Sequence, residues 1–198
     1  MSLDSAAKIE IAKKKKDSGD AAFKAGEIKE ALRGYHEALL YLNGIDKSAV
    51  QSMVSGGAQG DEDEKNKSEV DEMLEKIYAN QSACHIKNQN WKRAIEAADK
   101  ALSKNEKNHK AGFRKGKALA ELGFTEKAEK TLTDLLGKKP SPTDAATINA
   151  ELQRIRSADA ARMKKHENSL RGFLSRNKDS KVEESEGTTP SVSKVETA

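Results

Sequence analysis

The chain has 198 residues, of which 34% are charged, 4% are aromatic and three are proline, a balance that excludes a large sheet and favours a mostly helical, highly solvated protein. Its formal net charge of +4, from 36 basic and 32 acidic residues, is too small and mixed to mark a nucleic-acid binder by itself. It leaves room for local basic patches that take an acidic partner.

The one cysteine, Cys84, excludes an intrachain disulfide and a cysteine-based zinc site. Lying between Ala83 and His85 in a helical pattern, it reads as a small core residue rather than a nucleophile. No apolar run reaches the about 18 residues of a membrane span, and no stretch has the pattern of a signal peptide. The expectation is a cytoplasmic protein, with the nucleus as a second address.

In chain order, a short arm of about residues 1–11 leads into a helix that ends near Lys24, where Ile9, Ala12, Gly19, Ala22 and Phe23 form an interrupted apolar stripe. Gly26 breaks it. Ala31, Leu32, Tyr35, Ala38, Leu39 and Leu42 then mark a partner helix. From 43 to 68 the stripe disappears into glycines and the acidic run Asp61-Glu62-Asp63-Glu64, which predicts an inserted loop. Val70, Met73, Leu74, Ile77 and Tyr78 restart the helical pattern, and it runs to Ile86. A turn at Asn88-Gln89-Asn90 and a helix from Trp91 to Leu102 follow. The segment His109–Pro140 is again a helix, a turn at Gly123 and a second helix, closed by a proline that cannot continue it.

These segments align. Ala31, Ala94 and Ala128 hold one equivalent position, and Gly19, Ser82 and Gly116 another. Between the second and third segments both positions recur after 34 residues; between the first and second they recur after 63, one repeat plus an insertion of 29. Small residues are needed there because the paired helices approach closely. A helix pair with a 34-residue period is the tetratricopeptide signature. The chain resembles that family over about Ala12–Pro140, with units at about 12–42, 69–105 and 109–140. Ser82 departs from the usual glycine, and Leu135 from the small residue matched by Ala38 and Ala101. The resemblance implies an all-α fold: three helix-turn-helix units in a right-handed solenoid, with the first helix of each unit lining the concave side.

Residues 143–176 predict a capping helix. Ser141 or Thr143 caps its start, Ile148, Leu152, Ile155, Ala158, Ala161 and Met163 form its apolar stripe, and Arg154, Arg162, Lys164 and Lys165 lie opposite. A basic amphipathic helix of this kind also suits a calmodulin-like partner or a membrane surface. Residues 177–198 have a composition that predicts disorder.

Lys110, Arg114 and Lys117 share one helix face, with Phe113 beside them. Lys13, Lys16, Asp20 and Lys24 do so in the first unit, and Lys76, Asn80, Ala83 and Lys87 in the second. Converging, these faces give a cationic groove with Phe23, Ile86 and Phe113 as apolar contacts, suited to an extended acidic peptide. The positions are similar to the carboxylate clamp of co-chaperone and immunophilin-like tetratricopeptide domains. In that family Lys and Asn four residues apart, a second Asn, and Lys and Arg four apart hold the C-terminal aspartate of the Glu-Glu-Val-Asp tails of 70- and 90-kDa heat-shock chaperones. Lys16, Asn80, Lys110 and Arg114 match; Asp20 stands where the pattern has Asn, and an ionised Asp repels a carboxylate instead of donating to it. The long insertion, YANQSACHIKNQNWKRAIEAADKAL and HKAGFRKGKALAELG are similar to the C-terminal module of large immunophilins, and RGYHEALLYLNGID to small stand-alone members of the family.

The reading is a non-catalytic adaptor for the acidic C-terminus of a heat-shock chaperone, without cofactor, metal or small-molecule substrate. Another acidic peptide, or nucleic acid, is the alternative, the latter disfavoured by low aromatic content and 32 acidic residues. Four scattered histidines show no metal spacing, and Gly116-Lys117-Ala118 lacks the hydroxyl residue of a phosphate loop.

Overall fold

The structure, a computed structural model, describes residues 4–54 and 61–186. Its described elements are seven helices: α1 (Ser5–Ala25), α2 (Ile28–Val54), α3 (Asp61–Lys87), α4 (Trp91–Lys104), α5 (His109–Glu121), α6 (Thr125–Gly137) and α7 (Pro142–Glu186). The chain divides into two units, Met1–Leu152 and Gln153–Ala198. In the first, α1 pairs with α2, α3 with α4 and α5 with α6. α3 also packs on α1 and α5, so the first helices of the three pairs are neighbours.

Close approach within each pair follows from the small residues. Ala31, Ala94 and Ala128 are fully buried. A Cβ on Gly19 would lie 2.9 Å from Tyr35 Cε1, and one on Gly116 only 2.6 Å from Leu132 Cγ. Ser82, the departure at this position, is also fully buried, and its hydroxyl donates to the Ala94 carbonyl at 3.0 Å. The extra atom is accommodated by a hydrogen bond rather than a void. The Leu135 departure is compensated too. Leu135 faces Gly112, where a Cβ would meet its Cδ1 at 2.9 Å, whereas the residues at the corresponding positions one repeat earlier are Ala101 and Tyr78, with Tyr78 packed against the small cluster that includes Ala101. Large and small residues have exchanged places between the two equivalent positions.

All three intra-pair turns share one C-terminal motif. Glu27 N donates to Ala22 O, Asn90 N to His85 O and Phe124 N to Leu119 O, at 2.9, 2.8 and 3.0 Å. Each such turn needs one left-handed residue: Gly26 (φ 86°), Gly123 (φ 84°) and, in the second pair, Gln89 (φ 55°).

Three expected boundaries are corrected. The loop expected at 43–68 is largely helix, since α2 runs to Val54 and α3 begins at Asp61. Ile45 is buried and continues the ladder of Leu39 and Leu42, no proline interrupts the segment, and one glycine costs a helix only about 1 kcal/mol. The acidic run occupies the first turn of α3, where the helix dipole favours negative charge. The arm is likewise mostly helix: α1 starts at Ser5, capped by the Asp4 carboxylate, which accepts from Ser5 N at 2.7 Å. The last helix runs ten residues beyond its expected end at Arg176, to Glu186, and the rest of the expected disordered tail lies outside the described residues.

Ser141 caps α7, accepting from Asp144 N at 3.2 Å, with Pro142 at the first helical position. Ile148 and Leu152 are buried in the first unit. In the second unit Met163, Leu170 and Phe173 are exposed.

Candidate functional site

The three expected faces come from α1, α3 and α5. Lys16 and Asp20 lie one turn apart on α1, Asn80 at mid-α3, and Lys110, Phe113, Arg114 and Lys117 on α5. Neighbouring α3 and α5 flank an open cavity of about 470 Å³ whose lining includes Lys16, Lys76, Asn80, Lys107, Lys110 and Arg114. Its acidic lining residues, Glu75 and Asp144, are engaged by Asn108 (2.7 Å) and Ser141 (2.7 Å) respectively.

At the α1 end the expected donors already hold a carboxylate. Lys16 Nζ donates to Asp20 Oδ2 at 2.6 Å, and Asn80 Nδ2 donates to Asp20 Oδ1 at 2.8 Å. Tyr35 adds a third donor from α2, its hydroxyl 2.6 Å from Asp20 Oδ1. Burial alone would raise the Asp20 carboxyl, but hydrogen bonds from Lys16, Tyr35 and Asn80 outweigh it and hold the group below the usual carboxylate range. Burial likewise opposes the charge on Lys16, and its bond to Asp20 overturns that effect and raises it. The Tyr35 phenol is pushed far above its ordinary value, first by burial and then by the Asp20 carboxylate. Asp20 therefore stays an anion, and a second carboxylate about 4 Å away would be repelled by roughly 4 kcal/mol at the effective dielectric of such sites.

Arg114 is half-buried and donates through Nη1 to the Ala79 carbonyl at 2.7 Å, pinning α5 to α3. Desolvation lowers its pKa, but a guanidinium keeps its charge. Lys110 is exposed and makes no ion pair with another described residue; Lys117 is half-buried and equally unpaired. Lys13 instead reaches Glu69 at 2.6 Å and Lys76 reaches Glu72 at 3.4 Å.

Of the expected apolar contacts, Ile86 and Phe113 are half-buried, while Phe23 packs on the core with the Lys87 ammonium 4.4 Å from its ring centroid. A ligand side chain reaching Phe23 would meet Lys87 on that face. Cys84 is fully buried, and burial pushes its thiol up to about 11, which makes it an inert core residue.

Tyr35 is the site residue that the helical pattern does not reveal. Its ring belongs to the core stripe and is fully buried, yet its hydroxyl emerges between α1 and α3. The available signal is chemical: a buried tyrosine hydroxyl needs a partner, and Gly19, which makes room for the ring, immediately precedes Asp20.

Three successive helix pairs, small residues at the crossings and first helices that neighbour one another define a tetratricopeptide-repeat fold. The chain resembles the repeat domains of co-chaperones and large immunophilins. Mouse peptidyl-prolyl cis-trans isomerase FKBP4 is 29% identical over 170 residues, covering 82% of this chain and 32% of the isomerase. The Hsp70/Hsp90 co-chaperone CNS1 of Saccharomyces cerevisiae is 29% identical over 140 residues, 71% of this chain and 30% of that protein. Its solved structure superposes with a TM-score of 0.68 at 24% identity, covering 90% of this chain and 48% of that one. The second repeat domain of human RPAP3, solved with the HSP70 peptide SGPTIEEVD, superposes with a TM-score of 0.52 at 18% identity, covering 77% and 98%. The chain spans 27–42% of the length of the curated relatives it matches. No family model matches it. Among the described residues no helix is long and apolar enough to cross a membrane.

Proposed function

We propose that the chain is a cytoplasmic, non-catalytic adaptor whose groove binds the acidic tail of a 70- or 90-kDa heat-shock chaperone. The observation that carries this reading is the cavity between α3 and α5, where Lys107, Lys110 and Arg114 stand beside the amide of Asn80. A row of mobile ammonium groups around a fixed guanidinium attracts successive carboxylates and needs no cofactor. The likeness to a yeast co-chaperone, and to a repeat domain solved with a peptide ending in Glu-Glu-Val-Asp, supports the same partner class.

The test is calorimetric titration with a peptide ending in Glu-Glu-Val-Asp. Binding is expected to fall as salt rises, and Lys110→Ala to weaken it about tenfold, the loss of one charge-assisted contact. Absence of binding at low salt would remove the chaperone reading.

A further inference from the structure

We infer that Asp20 is a resident carboxylate that closes the α1 end of the groove, so that the protein reads acidic side chains rather than the terminal carboxylate of its ligand. This rests on the proposed peptide-binding function and specifies its ligand class: acidic segments, whether at a chain end or within a chain.

A terminal carboxylate differs from an internal peptide bond by one negative charge and two strong acceptors. A site that discriminates between them needs converging donors with spare capacity. At the α1 end those donors are Lys16, Asn80 and the Tyr35 hydroxyl, and all three point at Asp20, at 2.6, 2.8 and 2.6 Å. Lys16 also lies 3.4 Å from Asp17. One ammonium facing two resident carboxylates has no net charge to offer a third.

The other end of the groove differs. Lys110 is exposed and makes no ion pair with another described residue, and Lys107 shares its cavity. Arg114, fixed by the Ala79 carbonyl, keeps its remaining guanidinium donors beside them. Long lysine side chains around one guanidinium accept carboxylates from many directions. They do not register whether the ligand chain stops or continues, so end recognition is lost where acid recognition is kept.

The chemistry of Asp20→Asn makes this testable. An Asn oxygen still accepts from Tyr35 and Asn80, so the link between α1, α2 and α3 survives. The atom facing Lys16 becomes an NH2, which cannot accept from an ammonium. Lys16 is released and a further donor is added, and the closed seat becomes a terminal-carboxylate seat.

The experiment measures binding of the full chain to three labelled peptides by fluorescence anisotropy at fixed salt. All carry Glu-Glu-Val-Asp: one as the free acid, one as the C-terminal amide and one extended by Gly-Ser-Gly. The unsubstituted protein is expected to bind all three within about threefold, Lys110→Ala to weaken all three alike, and Asp20→Asn to prefer the free acid about tenfold. A preference of tenfold or more for the free acid in the unsubstituted protein, unchanged in Asp20→Asn, would overturn the inference while leaving the proposed function standing. Binding of none of the three by either protein would overturn both. The comparison of acid with amide on the unsubstituted chain needs no variant to fold.

Discussion

The Tyr35 hydroxyl crosses the first helix pair and donates to Asp20 Oδ1 at 2.6 Å, while Gly19, one residue earlier on α1, has no Cβ to obstruct the Tyr35 ring. One short segment thus makes room for the aromatic and satisfies its polar end. Tyr35→Phe keeps the ring and removes the donor, leaving a part-buried carboxylate with two partners instead of three. The expected cost is about 1.5 kcal/mol, the low end for a hydrogen bond to a charged group. Urea denaturation checks it, with an unchanged m-value as the sign that packing is intact.

Acid should weaken the same junction. The native Asp20 carboxyl lies below its ordinary value, so the unfolded chain takes up this proton first as pH falls. Its stabilising contribution is present above the unfolded carboxylate value of about 4 and is lost as pH falls through the lower native value. The stability gap between the unsubstituted protein and Asp20→Asn should therefore shrink from pH 7 towards pH 3. Tyr35 has the opposite sign. Its native pKa is raised, so its contribution is complete below about 10 and declines above it. Denaturation midpoints across both limbs, for the unsubstituted chain, Asp20→Asn and Tyr35→Phe, show the two groups as a coupled pair: each variant removes its own group's share of one limb and, by taking away the partner that shifts the other group, also reduces the other limb.

The second intra-pair turn carries a side chain where its two counterparts carry none. Gln89 holds φ 55° in the place of Gly26 and Gly123. A left-handed residue with a Cβ costs about 1–2 kcal/mol, part of which glycine gives back through its freer unfolded chain. Gln89→Gly is expected to stabilise by about 0.5–1 kcal/mol, read as a higher urea midpoint. A destabilised variant would mean that the Gln89 side chain contributes more than its backbone conformation costs.

What the sequence made legible was whatever depends on contact between neighbouring helices. Gly19, Ser82 and Gly116 recur because a bulky side chain at any of them would strike the partner helix, and that constraint leaves a period in the chain. The lengths of α2 and α3 left no such trace: between Ile45 and Val70 the sequence lacks a continuous apolar stripe, so its periodicity does not report where either helix stops. The candidate site divides in the same way. Lys110 and Arg114 share a face of one helix and could be paired from spacing alone. The Asp20–Asn80 bond joins residues 60 apart through the packing of α1 on α3, and the direction of a tyrosine hydroxyl is invisible in a stripe that reports only which ring is buried.

Arg114 couples the fold to the site and allows the two to be separated. Spacing alone suggests that its loss affects binding with little effect on stability, but its Nη1 is bonded to the Ala79 carbonyl on α3, and the residue is half-buried between the two helices. Arg114→Ala should therefore cost about 1.5 kcal/mol of stability, from the lost charge-assisted hydrogen bond, in addition to weakening peptide binding about tenfold. Arg114→Lys keeps the charge, and its ammonium can donate either to Ala79 or to a ligand but lacks the fork that serves both. It should recover most of the stability and only part of the affinity. Lys110→Ala, at an exposed residue without an ion pair to another described residue, should reduce affinity and leave the denaturation midpoint unchanged. Midpoints and peptide affinities for the three variants check this. If Arg114→Ala bound as tightly as the unsubstituted chain while losing stability, Arg114 would be a pin between helices and the anion site would consist of the lysines alone.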